Sequence, residues 1–143
     1  MSDYSAVCVD ASLVMRLVVG GPGEEETAKL WKGWAEVGTR ILAPALLAYE
    51  CVNALRQLER THIITRNAAD AALAAIQRLG VELLDDPALH RRALELCREL
   101  GLSSAYDAHY LALAERTRTP LFTADGRLAS KVGRRFADLH LVA

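Results

Sequence analysis

Residues Ala6 to Val9 are apolar at every position and run directly into Asp10. A strand with one wet face alternates apolar and polar residues. A strand with no polar position has to be covered on both faces, which is the condition of a parallel sheet held between helices. Short runs at Arg40–Ala43, Val81–Leu84, Leu121–Thr123 and Leu139–Val142 read as further strands. Helical segments fall between them. ASLVMRLVV is stopped by Gly20, Gly21 and Pro22, and Glu24–Val37 carries its acidic residues at the N-terminus, where the helix dipole favours them. Pro44 is expected to open the helix PALLAYECVNALRQLER from its first turn. Thr65–Leu79 and Pro87–Leu100 are closed by Gly80 and Gly101, Ser104–Thr117 is capped by Ser103 or Ser104, and a turn at Asp125-Gly126 leads into a short helix. The alternation predicts one α/β domain over residues 1–143, with a mostly parallel sheet of four to five strands flanked by helices in three layers.

Composition narrows the function. The net charge is −1, so no global basic field draws nucleic acid to the chain, and any such binding has to come from bound metal or from local arginines such as Arg56, Arg60, Arg91 and Arg92. Cys8, Cys51 and Cys97 are odd in number, widely spaced and flanked by apolar residues, which reads as buried thiols in a reducing, cytoplasmic setting. The start, MSDYSAVCVD, has neither the basic nor the apolar region of a secretion signal, and no run of about 18 apolar residues would cross a membrane. A mean hydropathy of +0.11 is high for a chain this small and suggests apolar surface covered by a partner or a second copy.

Four carboxylates stand out by position. Asp10 and Asp125 fall just past strand ends, where α/β sheets bind ligands. Glu50 shares a helix face with Leu46, Leu47 and Ala54, and Asp107 shares one with Tyr110, Leu111 and Ala114. Both therefore lean toward the apolar side, where a carboxylate is costly unless paired, protonated or bound to metal. Each also has a bland reading: Asp10 as a helix cap, Asp125 as a turn residue, Glu50 at a wet helix edge, Asp107 as a complement to its helix dipole. A convergence of hard oxygen ligands suits Mg²⁺ or Mn²⁺. No HExxH or Cys/His zinc spacing, no GxSxG, and no Walker or GxGxxG loop is present. His109 is next to the cluster in sequence but reads as a surface or packing residue.

The order VCVDASLVMRLV, LLAYECVNALR, SAYDAHYLALAE, LFTADGRLA resembles the PIN domain, and more narrowly the VapC toxins of toxin–antitoxin pairs. The resemblance implies a metal-dependent endoribonuclease acting on single-stranded or loop RNA, a cognate antitoxin and a homodimer. It makes Asp10, Glu50, Asp107 and Asp125 the acidic site, with Asp10 and Asp107 as central metal ligands and Glu50 and Asp125 binding directly or through water. Ser12, Asn53 and Thr123 match supporting polar positions, although Ser12 and Thr123 also read as backbone caps. A PIN domain of housekeeping RNA processing is the nearest alternative. A non-catalytic receiver-like module is another, but it needs an acidic pair after its first strand, and here Asp10 is followed by Ala11 and Ser12.

Two further expectations concern surfaces. Lys131, Arg134 and Arg135 lie shortly after Asp125 and could contact RNA phosphate or form a solvated turn. Trp31 and Trp34, at i and i+3 with Ala28 and Ala35 flanking them, either pack in the core or wall a groove for the antitoxin's apolar side chains.

Overall fold

A computed structural model describes residues 4–136 and 138–142. Five strands, β1 (Ala6–Val9), β2 (Arg40–Pro44), β3 (Glu82–Leu84), β4 (Leu121–Thr123) and β5 (Leu139–Leu141), form one sheet in the order β3-β2-β1-β4-β5, every neighbouring pair parallel. Parallel strands need crossovers, and seven helices supply them: α1 (Ala11–Val19), α2 (Glu24–Val37), α3 (Leu46–Arg60), α4 (Arg66–Arg78), α5 (Ala88–Leu100), α6 (Ala105–Thr117) and α7 (Gly126–Val132). Right-handed crossovers place α1–α4 on one face and α5–α7 on the other. The packing agrees: α1 lies against α2, α3 and α4, while α5 lies against α6, which crosses β1, β2 and β4. The result is the three-layer α/β fold expected from the alternation.

Coverage on both faces explains the composition of the central strands. Val7, Cys8 and Val9 have no exposed surface, and β4 is buried along its whole length. The edge strands β3 and β5 are three residues each and partly exposed, which limits pairing with other chains. Cys8 and Cys51 are buried as expected, while Cys97 is only partly so. Burial pushes the Cys51 thiol up to about 12 and Cys8 higher still, so both are inert side chains of the core.

Most helix ends follow their local signals. Asp10, Thr65, Ser104 and Asp125 accept backbone N–H bonds as N-caps, so of the two serine candidates Ser104 is the cap. Gly101 ends α5 in the left-handed region, at φ 68°, where a side chain would be strained. Pro44 departs from expectation. It closes β2, opposite Leu84 of β3, and α3 begins at Leu46. Pairing with β1 stops at Leu42, so past that point β2 has a neighbour on one side only and the missing proline N–H leaves no β1 carbonyl unpartnered.

Trp31 and Trp34 are also settled. They are 8% and 5% exposed, their rings lie 5.3 Å apart, and Trp34 meets Phe122 of β4 edge-on at 5.1 Å. They seal α2 onto the sheet. The expectation of an antitoxin groove lined by these rings is therefore corrected: the face they share is the core face of α2.

Candidate active site

The chain runs from β1 outward through β2 to β3, then returns past β1 to start β4 on its other side. The crevice between β1 and β4 is thus the switch point of the sheet, where crossovers leave in opposite directions and strand ends are uncovered. Asp10 leaves the end of β1, and Thr123 and Asp125 lie at the end of β4.

A hydrogen-bonded knot fills this point. Ser12 donates to Asp10 Oδ1 at 2.6 Å, the Leu13 N–H donates to the same oxygen at 3.1 Å, and the Thr123 hydroxyl donates to Oδ2. Ser12 Oγ and Thr123 Oγ1 lie 3.2 Å apart. Each hydroxyl also accepts from the backbone: Ala124 N–H on Ser12 Oγ and Asp125 N–H on Thr123 Oγ1, both at 3.0 Å. Ser12 and Thr123 therefore cap backbone and hold Asp10 at once, so the two sequence readings are not exclusive. Arg16, on α1, fixes the same loop by donating to the carbonyls of Val142 at 2.8 Å and Ala124 at 3.5 Å. Asp125 Oδ1 accepts from the N–H groups of Arg127 and Leu128, which aims the carboxylate from the start of α7.

Glu50 and Asp107 come from opposite faces of the sheet. Both are half-buried, and Glu50 Oε1 accepts a 2.6 Å bond from the Tyr110 hydroxyl. Tyr110 is almost fully buried, and the sequence reading assigned it only to an apolar face. Its role was not legible there, because its partner lies sixty positions away. Asn53 is exposed and bonds no described residue, so it is not drawn into this network.

Electrostatics tie the four carboxylates together. Burial raises Asp10 from the ordinary carboxylate range to about 6; the bonds from Ser12, Thr123 and the Leu13 N–H oppose this, and Asp107 adds to it. Glu50 is raised by burial and by Asp107, against the Tyr110 bond, and Asp107 is raised by burial and by Asp125. Asp107 is thus the carboxylate that feels or imposes repulsion on each of the other three. Such carboxylates are relieved by retaining a proton or by a bound cation.

The donors are of the type that hard divalent cations take. Every candidate ligand is a hard oxygen, and Asp10 Oδ2, which accepts only from Thr123, keeps a lone pair, whereas Oδ1 is filled by Ser12 and the Leu13 N–H. Among the described residues no three His, Cys, Asp or Glu side chains close on a single metal position. Mg²⁺ is held through one or two carboxylates and keeps its waters, which two carboxylates at a time can satisfy.

The flanking basic residues divide. Lys131 is exposed and lines an open cleft with Asp125, Arg127 and Ser130. Arg135 donates to the carbonyls of Glu99, Leu100 and Lys131, each at 3.1 Å, and so closes the C-terminus of α5. His109 bridges α6 to α5 through a 2.9 Å contact with His90, a packing role as expected.

A parallel three-layer domain with acidic residues gathered at its switch point is the setting in which the comparisons with known proteins fall. The chain belongs to the PIN-domain family, whose model matches residues 7–134. It is similar to Ribonuclease VapC12 of Mycobacterium tuberculosis, in strains CDC 1551 / Oshkosh and ATCC 25618 / H37Rv, at 28% identity over 137 residues, covering 96% of this chain and 99% of that protein. Among solved structures it is similar to PAE2754 from Pyrobaculum aerophilum, with a TM-score of 0.65 and 31% identity over 88% of this chain and 86% of that one. The resemblance of the four sequence blocks to VapC-type PIN toxins is thereby supported across nearly the whole chain.

Proposed function

We propose that this protein is a Mg²⁺- or Mn²⁺-dependent endoribonuclease, the toxin of a toxin–antitoxin pair, cleaving single-stranded or loop RNA. The observation that carries the reading is the placement of Asp10 and Asp125 at the ends of β1 and β4, the switch point of the sheet, with Glu50 of α3 hydrogen-bonded to Tyr110 on the Asp107 helix. The full-length similarity to a VapC ribonuclease supports it.

Asp10 and Asp107 would hold the metal, with Glu50 and Asp125 binding it directly or through water. The ion, when bound, supplies an activated water and neutralises charge on the phosphodiester. Ser12 and Thr123 fix the Asp10 carboxylate and leave a lone pair free on Oδ2 only. Tyr110 fixes Glu50, whose half-buried carboxylate is suited to accept the proton released in the attack. The VapC likeness also brings an antitoxin partner and a homodimer. No described helix is long and apolar enough to cross a membrane.

The reading is tested by incubating the protein with single-stranded RNA in Mg²⁺, in Mn²⁺ and in excess EDTA, and mapping the ends produced. Metal-dependent internal cuts are expected. Undiminished cleavage in EDTA, with Asp107→Asn as the control for contaminating nuclease, would exclude the metal mechanism.

A further inference from the structure

A concentration of positive charge lies where α3 turns into α4. A cleft of about 410 Å³ opens there, and Arg56, Arg60, His62 and Arg66 line it with Glu59. Three arginines against one glutamate stand out on a chain of net charge −1. His62 adopts φ 61°, in the left-handed region uncommon for a residue with a side chain, and the N–H groups of His62 and Ile63 bond back to Glu59 and Leu58 at 3.0 and 2.9 Å. This tight turn brings Arg66 back beside the arginines of α3.

From the cleft an exposed stripe of α3 runs back toward the end of the helix that carries Glu50. Tyr49, Asn53, Arg56 and Arg60 are spaced four, three and four residues apart and so share a face. All four are exposed, while Leu47, Cys51 and Leu55 bury the opposite face. Tyr49 is 74% exposed and directly precedes Glu50. Along the helix axis Glu50 and Arg60 are about 15 Å apart. The arginines are set but not committed: Arg56 pairs with Glu59 at 2.6 Å and Arg60 bonds Gln57 at 3.1 and 3.0 Å, all on exposed surface where such pairs hold little free energy.

We propose that this stripe and cleft form a track that leads single-stranded RNA away from the carboxylate cluster. One unstacked base lies on the Tyr49 ring, and phosphates are held by the guanidinium forks of Arg56, Arg60 and Arg66. An open aromatic face followed by arginines is the recognition chemistry of single strands, since a base inside a duplex has no free face to offer. The proposal rests on the nuclease reading and assigns its substrate path.

A labelled oligouridylate is titrated with protein in EDTA at several salt concentrations, and KM and kcat are measured in Mg²⁺. The Arg56→Ala/Arg60→Ala/Arg66→Ala variant should bind at least about 10-fold more weakly and raise KM in proportion. Its slope of log affinity on log salt should fall by about 0.7 for each phosphate no longer held. Tyr49→Ala should weaken binding about 5-fold or more with the salt slope unchanged, and Tyr49→Phe should bind like the native chain. Every substituted residue is on the surface, so folding is preserved, and circular dichroism checks it. Unchanged affinity and KM in both alanine variants, with the native chain cutting RNA, would remove the track and leave the nuclease standing. Loss of binding to polyglutamate in the triple variant, with RNA binding and KM intact, would assign the cleft to an acidic protein partner and overturn the proposal. A native chain that neither binds nor cuts single-stranded RNA would overturn the nuclease reading itself.

Discussion

Replacing Asp10 by Asn should stabilise the metal-free protein at neutral pH, although it removes a native hydrogen-bonded side chain. Asp10 is only 4% exposed, and its carboxyl is raised from 3.8 to about 6. The folded state therefore holds this proton more tightly than the unfolded chain. The stability contributed by the protonated form is fully present below about pH 4 and is lost as pH rises through about 6. Two pK units correspond to about 3 kcal/mol, so by pH 7 ionised Asp10 weighs against the fold by up to that amount. Asn carries no charge at any pH. It keeps an oxygen for the Leu13 N–H, but its amide turns one acceptor into a donor, and Thr123 has to rotate its hydroxyl to accept. That loss reduces the expected gain to about 1–2 kcal/mol, or roughly 4–8 °C in Tm for a chain of this size. Urea unfolding in EDTA at pH 4 and pH 7 reads the effect: the order should cross, with the variant lower by about 1 kcal/mol at pH 4, where native Asp10 keeps its proton, and higher at pH 7. Added Mn²⁺ should reverse the order, because only the native carboxylate gains from the ion; at 100 times its Kd the ion contributes about 2.7 kcal/mol. A native protein whose stability is flat from pH 4 to pH 7, or a variant less stable at pH 7 in EDTA, would refute the account of Asp10 as a strained, proton-retaining carboxylate.

Asp107→Asn should abolish RNA cleavage while thermal melting stays within a few degrees of the native value, since Asp107 relates to all three other carboxylates and is not a core side chain; cleavage at the native rate would take it out of the site. Tyr110→Phe removes the donor to Glu50 without changing the packed ring, and should cost about 1 kcal/mol in stability and raise the Mn²⁺ concentration for half-maximal activity several-fold. Calorimetry of Mn²⁺ binding checks this apart from turnover, and an unaltered metal affinity would leave Tyr110 as a packing residue. Trp34→Ala should cost about 3–5 kcal/mol by opening a cavity against Trp31 and Phe122, measured by urea denaturation; a loss under about 1 kcal/mol would mean that the ring is not part of the core.

The sequence alone determined the features that depend on local chemistry. A run with no polar position, Ala6–Val9, can only be a strand covered on both faces, and it became the centre of the sheet. Caps and stops act within a turn of their own position, so the cap readings of Asp10 and Ser104 and the stop at Gly101 hold. Glu50 and Asp107 stand out in the sequence because their helical neighbours are apolar, and Asp10 and Asp125 because they follow strand ends. Tertiary structure decided whatever depends on residues distant in the chain. Pro44 obeys a helix-start rule locally, yet pairing with Leu84 holds it in β2. Tyr110 reads as apolar until Glu50 arrives from another helix, and Arg135 reads as a free cation until the end of α5 arrives beneath it. Trp31 and Trp34 show the limit most plainly. Their spacing defines a shared face, but an amphipathic period is the same whether that face meets solvent, a partner or the sheet. The crossover that seats α2 over Phe122 made it core.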